Sequence, residues 1–145
     1  MLLRLEFMLE DRQAKMKERD AAMRNARDEI LVRVHRWLLE QGFATAGVGH
    51  FTRPYKGWIG HVGFQKDRSG RNVRIMCHIE LNAVAGKRII GPISDLYERP
   101  NSPNGTKYHF GWSTRDSDID RCASEYCRYI NDVVIAWLVN PSEMA

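Results

Sequence analysis

The sequence predicts an α+β fold in which a long N-terminal helix and a C-terminal helix flank an antiparallel sheet of four to five strands. Two changes of hydrophobic period support this class, because apolar residues recur at helical steps, then at every second residue, then at helical steps again. The chain has 145 residues, of which 43% are hydrophobic and 28% are charged. That composition is typical of a globular protein, so we expect a single domain over residues 1–145.

The N-terminal helix is predicted from residues 8–41, which contain no proline or glycine and are rich in good helix formers. Gly42 is placed to end the helix as a left-handed cap. Residues 1–22 could project as a helical extension. A seven-residue repeat through Leu2, Leu9 and Met16 offers a homodimer through this helix as an alternative, although the second seam of the repeat is mostly polar. The apolar stripe that should pack on the sheet consists of Met23, Ala26, Ile30, Val34, Trp37 and Leu38.

The middle of the chain alternates apolar and polar residues and is rich in β-branched and aromatic side chains. Turn residues separate the runs, notably at 54–57, 69–70 and 100–105. From Ser117 a helical period returns and continues to Pro141, which should end the second helix. The predicted strands are 47–53, 58–66, 73–82, 88–93 and 107–113.

The turn residues also predict which side chains face each other. A turn centred on Ser69 and Gly70 pairs His61 with His78 and gives each strand one consistently apolar face. A turn centred on Tyr55 and Lys56 pairs His50 with His61. The histidines then form a row on the face opposite the core, which two helices on the other side would leave open. Five further residues are expected on this open face, the last only if its aromatic neighbours point inward: Gln65, Arg74, Met76, Glu80 and His109.

Three functions suit such a face. It could bind a protein partner, with contacts from His50, His61, Gln65, Arg74, Met76, His78 and His109. It could be a metal-independent ribonuclease or phosphoesterase in which His61 and His78 act as acid and base, aided by His50 and Glu80. Three imidazoles could also converge on zinc, but their spacing matches no known zinc motif, so we predict no metal and no cofactor.

Composition limits the remaining classes. No apolar run approaches the roughly 20 residues of a membrane span, and charges interrupt the apolar start of the chain, so we expect a cytoplasmic protein. The three cysteines are scattered without a C-x-x-C pair, which argues against a disulfide framework. The net charge of +4 permits a nucleic-acid-binding accessory role. That role would use the basic residues Lys56, Arg74, Lys87 and Arg88.

Several short motifs resemble a family of small bacterial domains of unknown function. They are "QGF" after the first helix, "HFTR", "GFQKDRSG", "VRIMCHIEL" and "RIIGPISDL", followed by an aromatic segment and a closing helix. The resemblance covers about residues 30–139. Domains of that shape are similar to immunity proteins, which neutralise a toxin. The resemblance therefore implies an interaction protein that binds a cognate toxin, and it supplies no catalytic residues.

Overall fold

The computed structural model describes residues 2–70, 72–97 and 108–141. A long helix leads into a five-stranded antiparallel meander, and a second helical segment closes the chain, which confirms the predicted α+β class. The strands follow one another across the sheet in chain order. The elements are α1 (Leu2–Glu40), β1 (Ala44–Gly47), β2 (His50–Tyr55), β3 (Trp58–Lys66), β4 (Val73–Leu81), β5 (Arg88–Ile93), a 3₁₀ turn (Ser94–Tyr97), α2 (Asp116–Tyr129), a π-helical turn (Ile130–Ile135) and α3 (Ala136–Val139).

Helix α1 ends as the sequence predicts. Gly42 adopts a φ of 90°, a conformation that glycine reaches without steric cost. The amides of Gly42 and Phe43 donate to the carbonyls of Leu39 and Leu38, which would otherwise lack partners at the helix end. The chain is thereby turned from the helix into the sheet, and Phe43 enters the core at 3% exposure.

Both helical segments cover the same face of the sheet. The rings of Phe51 and Phe64 in the sheet pack against His35 of α1. Nε2 of His35 has no hydrogen-bond partner among the described residues. From the C-terminal segment, Tyr126 donates its hydroxyl to the carbonyl of Val73, and Trp58 donates its indole N–H to the carbonyl of Leu138. The core therefore lies between the sheet and the helices. Neither helical segment covers the opposite sheet face, and Asp95 of the 3₁₀ turn reaches Arg74 at its edge.

Two strand predictions are wrong in part. The run predicted at 47–53 is two strands, because Val48 and Gly49 form a turn in which Gly49 has a φ of 64°. The run predicted at 107–113 is not a strand over 108–113, although Tyr108 and Phe110 do alternate into the core. Residue 107 and the loop predicted at 100–105 lie outside the described residues.

The aromatic segment 108–113 is held by α2 rather than by a neighbouring strand. The carbonyls of His109 and Gly111 accept hydrogen bonds from the guanidinium of Arg121. Phe110 stacks on the ring of Tyr126 at a centroid distance of 4.5 Å. Any extended segment that packs on one side alternates with a period of two, so the sequence pattern resembles that of a strand.

The C-terminal helix starts at Asp116, one residue before the predicted start at Ser117, with Arg115 as its N-cap residue and without a side-chain capping bond. Its first turn instead places Asp118 as acceptor of the Ser113 hydroxyl, and Asp120 forms an ion pair with Arg33 of α1. The two helices are thus joined at their exposed edge as well as through the core.

Thiol reactivity tests which face of β4 is covered. Cys77 and Cys122 are buried, and desolvation raises the pKa of each thiol to about 12, so almost no reactive thiolate forms near neutral pH. We expect both to resist a thiol reagent at pH 8 in the native protein and to react at once in denaturant. The variant Met76→Cys should react fast, because residue 76 is 39% exposed on the opposite face of the same strand. Equal rates at residues 76 and 77 would contradict the assignment of the two faces.

Within the described ranges, no helix combines the length and the apolarity that crossing a bilayer requires.

Candidate functional site

The pairing of β3 with β4 agrees with the prediction at every position. Residue numbers of partners add to 139, and His61 lies directly opposite His78. Their rings stack with centroids 4.2 Å apart and planes inclined by 12°. Both belong to the sheet face that the helices do not cover, since their strand neighbours Val62 and Cys77 are buried on the core face.

The pairing of β2 with β3 differs from the prediction. The turn is centred on Lys56 and Gly57, where Gly57 adopts a φ of 99°, so Tyr55 pairs with Trp58 and His50 lies opposite Gly63 rather than His61. A shift of two residues keeps every side chain on its face. His50 therefore still reaches His61 diagonally, with its Nε2 2.8 Å from Nδ1 of His61.

Glu80 sets the hydrogen-bonding roles in this row. Its Oε1 lies 3.2 Å from Nε2 of His61, and a carboxylate can only accept, so Nε2 of His61 carries a proton. In neutral His61, Nδ1 is then the acceptor and Nε2–H of His50 is the donor. The result is a directed chain from His50 through His61 to Glu80, which occupies both ring nitrogens of His61.

The environment of His50 and His78 favours their neutral imidazoles. Desolvation, followed by the nearby positive charges that His61 and Arg88 would contribute, lowers the pKa of His50 below its ordinary value. The same causes lower the pKa of His78 to about 4. Near neutral pH these two rings are therefore uncharged, and they present a flat surface of low polarity rather than a cluster of cations.

Three other predicted residues lie on the open face, towards the end of the sheet at which β3 turns into β4. Gln65 pairs with Arg74, and Met76 pairs with Gly63. Arg74 donates from Nε to Oδ2 of Asp95 at 2.8 Å. This carboxylate offsets the positive charge of Arg74, which weakens the expectation that Arg74 contacts phosphate.

His109 is the exception among the predicted site residues. It belongs to the segment 108–113 that packs on α2, on the helical side of the molecule, and its Nδ1 accepts from the amide of Gly111. The expectation that it shares the open face is wrong, because that expectation required the segment to be a strand of the sheet.

Sequence reasoning missed the apolar part of this face. Ile90 of β5 lies opposite His78 and is 78% exposed, and Ile93 lies opposite Met76. The register changes between Met76 and His78, where the strand bulges, so a single turn centre could not have predicted these partners. The sequence signal that could have placed Ile90 on this face is the alternation within β5, where Gly91 stands between Ile90 and Pro92.

The arrangement of the histidine rings limits the row's ability to bind a metal ion or to exchange protons with a substrate. Over the described residues, no group of three or more His, Cys, Asp or Glu side chains is arranged to hold a metal ion. Stacked rings aim their nitrogens in parallel planes rather than at a common point. His61 has both nitrogens engaged within the protein, so it is poorly placed to exchange a proton with a substrate.

Comparison with known proteins yields no match to a protein-family model, to a curated protein or to a solved structure.

Proposed function

We propose that this protein is a cytoplasmic interaction protein of the immunity type, which binds a toxin domain through the open face of its sheet. The supporting observation is that this face carries exposed apolar side chains and is covered by neither helical segment of the described chain. Ile90 is 78% exposed and Met76 is 39% exposed, and Ile59 and Ile93 lie partly exposed on the same side. The toxin class of the partner rests on the family resemblance alone.

The face has the composition of an interface centre with a polar rim. The row of His61, His78 and His50 lies beside the isoleucines. Charged residues lie towards the two ends, with Arg74 bound to Asp95 at one end and Glu80 opposite Arg88 at the other. Such a surface can exclude water around a few apolar contacts while the rim fixes orientation.

The nuclease alternative receives less support from the geometry. Its acid and base, His61 and His78, are stacked on each other instead of lying on opposite sides of a space for a phosphodiester. The lowered pKa of His78 also leaves little of the protonated form that a general acid needs near neutral pH.

The net charge of +4 suits a neutral or acidic partner protein better than a basic one.

The test compares two substitutions of an exposed apolar residue by aspartate. Ile90→Asp changes the most exposed isoleucine of the open face, on the edge strand β5 beside His78, and Leu39→Asp changes a residue of α1 that is 50% exposed. The immunity function predicts that a toxin domain is encoded beside the gene, and that domain is the partner to test. The readouts are the affinity of the purified pair and growth of cells that express both. We expect Ile90→Asp to weaken binding by about thirtyfold or more, because a charge would replace an apolar side chain that the complex buries, and to abolish protection.

Leu39→Asp should bind and protect as the wild type does. Equal affinities for the two variants would show that the open face is not the binding surface. Failure of the wild-type protein to bind or neutralise the adjacent toxin domain would overturn the immunity function itself.

A further inference from the structure

Helix α1 is much longer than the sheet it covers. Its 39 residues extend over about 58 Å at 1.5 Å per residue, yet buried side chains begin only at Ala26. All side chains from residue 3 to residue 19 are exposed. We call residues 3–19 the N-terminal arm.

The arm is apolar where a solvated helix would be polar. Six large hydrophobic side chains are between 49% and 82% exposed, namely Leu3, Leu5, Phe7, Met8, Leu9 and Met16. At roughly 150–250 Å² for a large side chain, they expose apolar area on the order of 700 Å² per chain. The largest apolar patch of a monomer is typically about 300–600 Å², and a standard interface buries about 800 Å² per partner. Only one side of the helix can face a single partner. Leu5, Leu9 and Met16 share that side and expose about 300 Å², whereas Leu3 and Phe7 lie on the opposite side. A standard interface is about 56% apolar and so buries about 450 Å² of apolar area per partner, of which this side of the arm supplies about two thirds.

The arm also continues the buried side of its own helix. Leu5, Leu9 and Met16 recur at steps of four and seven residues, and further steps of seven lead to Met23 and to the buried Ile30. Seven residues are about two helical turns, so all of these side chains lie on one face. The face that contacts the sheet in the second half of α1 is thus the face that is exposed in the arm.

This continuity decides how two copies can meet. A parallel second helix on the arm would extend along the same face into the space that the sheet occupies against Ile30. An antiparallel helix runs the opposite way, so each arm covers the other and each body lies beyond the overlap. A groove of about 590 Å³ lies at that boundary, and Lys15, Glu18, Arg19, Ala22, Met23, Ser113 and Thr114 line it.

We propose that the protein forms a two-fold homodimer in which the N-terminal arms of two copies pair antiparallel, with the first apolar turns of each arm reaching the groove beside Met23 of the other. The open sheet face stays outside this contact, so the dimer would present two partner-binding faces. The proposal is independent of the toxin-neutralising function.

Sedimentation equilibrium of the full chain tests the assembly. We expect a dimer at micromolar concentration, and we expect the double variant Leu5→Glu/Leu9→Glu to weaken dimerisation by about thirtyfold or more. The variant should stay folded because both side chains are exposed, which its circular dichroism would show. Leu39→Glu, an exposed leucine of the same helix outside the arm, is the control and should dimerise normally. A monomeric wild-type protein, or unchanged dimerisation of the double variant, would overturn the proposal.

Spin labels at Arg4→Cys test the orientation. Labels on fully overlapping antiparallel arms lie about 21 Å apart along the axis, whereas labels on parallel arms lie about 10 Å apart across the pair. Cys77 and Cys122 are buried and contribute little label, and the partly exposed Cys127 is replaced by serine so that it takes up none. The longer distance is expected, and the shorter one would refute the antiparallel arrangement.

Discussion

Replacing Gly91 with alanine is expected to lower the free energy of unfolding by about 1–3 kcal/mol, the usual cost of overpacking a core. A Cβ atom at this position of β5 would lie 2.5 Å from Cζ3 of Trp137 and 2.8 Å from Sγ of Cys77. Both neighbours belong to the packed core, where Trp137 and Cys77 are each 3% exposed, so neither can move aside cheaply. The measurement is urea-induced unfolding of the wild type and the variant.

The matched control is the glycine of β3 on the opposite face. A Cβ atom at Gly63 would meet nothing within 4 Å. Gly63→Ala should therefore be neutral or stabilise the fold by up to about 1 kcal/mol, because alanine has less conformational freedom to lose on folding. Similar destabilisation by both variants would contradict the conclusion that only one face of the sheet is packed against helices.

Acid is expected to weaken the fold over a window set by the histidine row. The folded state lowers the pKa of His78 to about 4, and also lowers that of His50, whereas an unfolded histidine titrates near 6.5. Between these values the unfolded chain binds more protons, so stability is fully present above pH 6.5 and falls as the pH decreases towards 4. Because water still reaches the rings, we expect His78 to account for about 1–2 kcal/mol of this loss.

Unfolding in urea at pH 7 and at pH 4.5 checks this expectation. The variant His78→Gln cannot be protonated at residue 78, so it should lose less stability between these pH values than the wild type. His109→Gln is the control, because His109 lies outside the row. The pKa of Asp67 is lowered to about 2, so the effect of this carboxyl on stability falls below pH 4.5 and does not contribute to the comparison. If His78→Gln loses as much stability as the wild type, desolvation of His78 is not the cause.

The part of the site that the sequence predicts correctly rests on one well-determined hairpin. The long alternating runs of β3 and β4 allow only one register that keeps Val62, Ile75 and Cys77 together on a buried face. His61 and His78 follow from that register without further information. The face of His50 also follows, although its exact partner does not.

The remainder depends on tertiary contacts that no local pattern records. The sequence allows a turn centred on Tyr55 and Lys56 as well as one centred on Lys56 and Gly57, and the positive φ of Gly57 belongs to the second. The alternation at Tyr108 and Phe110 indicates only that one side of the segment is buried. Packing against α2 buries that side just as packing in a sheet would. The bond between Glu80 and His61 depends on side-chain conformation, which strand register alone does not determine.

The stacked histidine pair is the centre of the proposed binding face, and it can be observed without knowing the partner. The direct measurement is the nuclear Overhauser effect between ring protons of His61 and His78 in the native protein near neutral pH. Rings whose centroids lie 4.2 Å apart should give strong mutual cross-peaks. Their absence, together with cross-peaks from the His61 ring to Cys77 or Ile79, would place His61 on the core face and contradict the account.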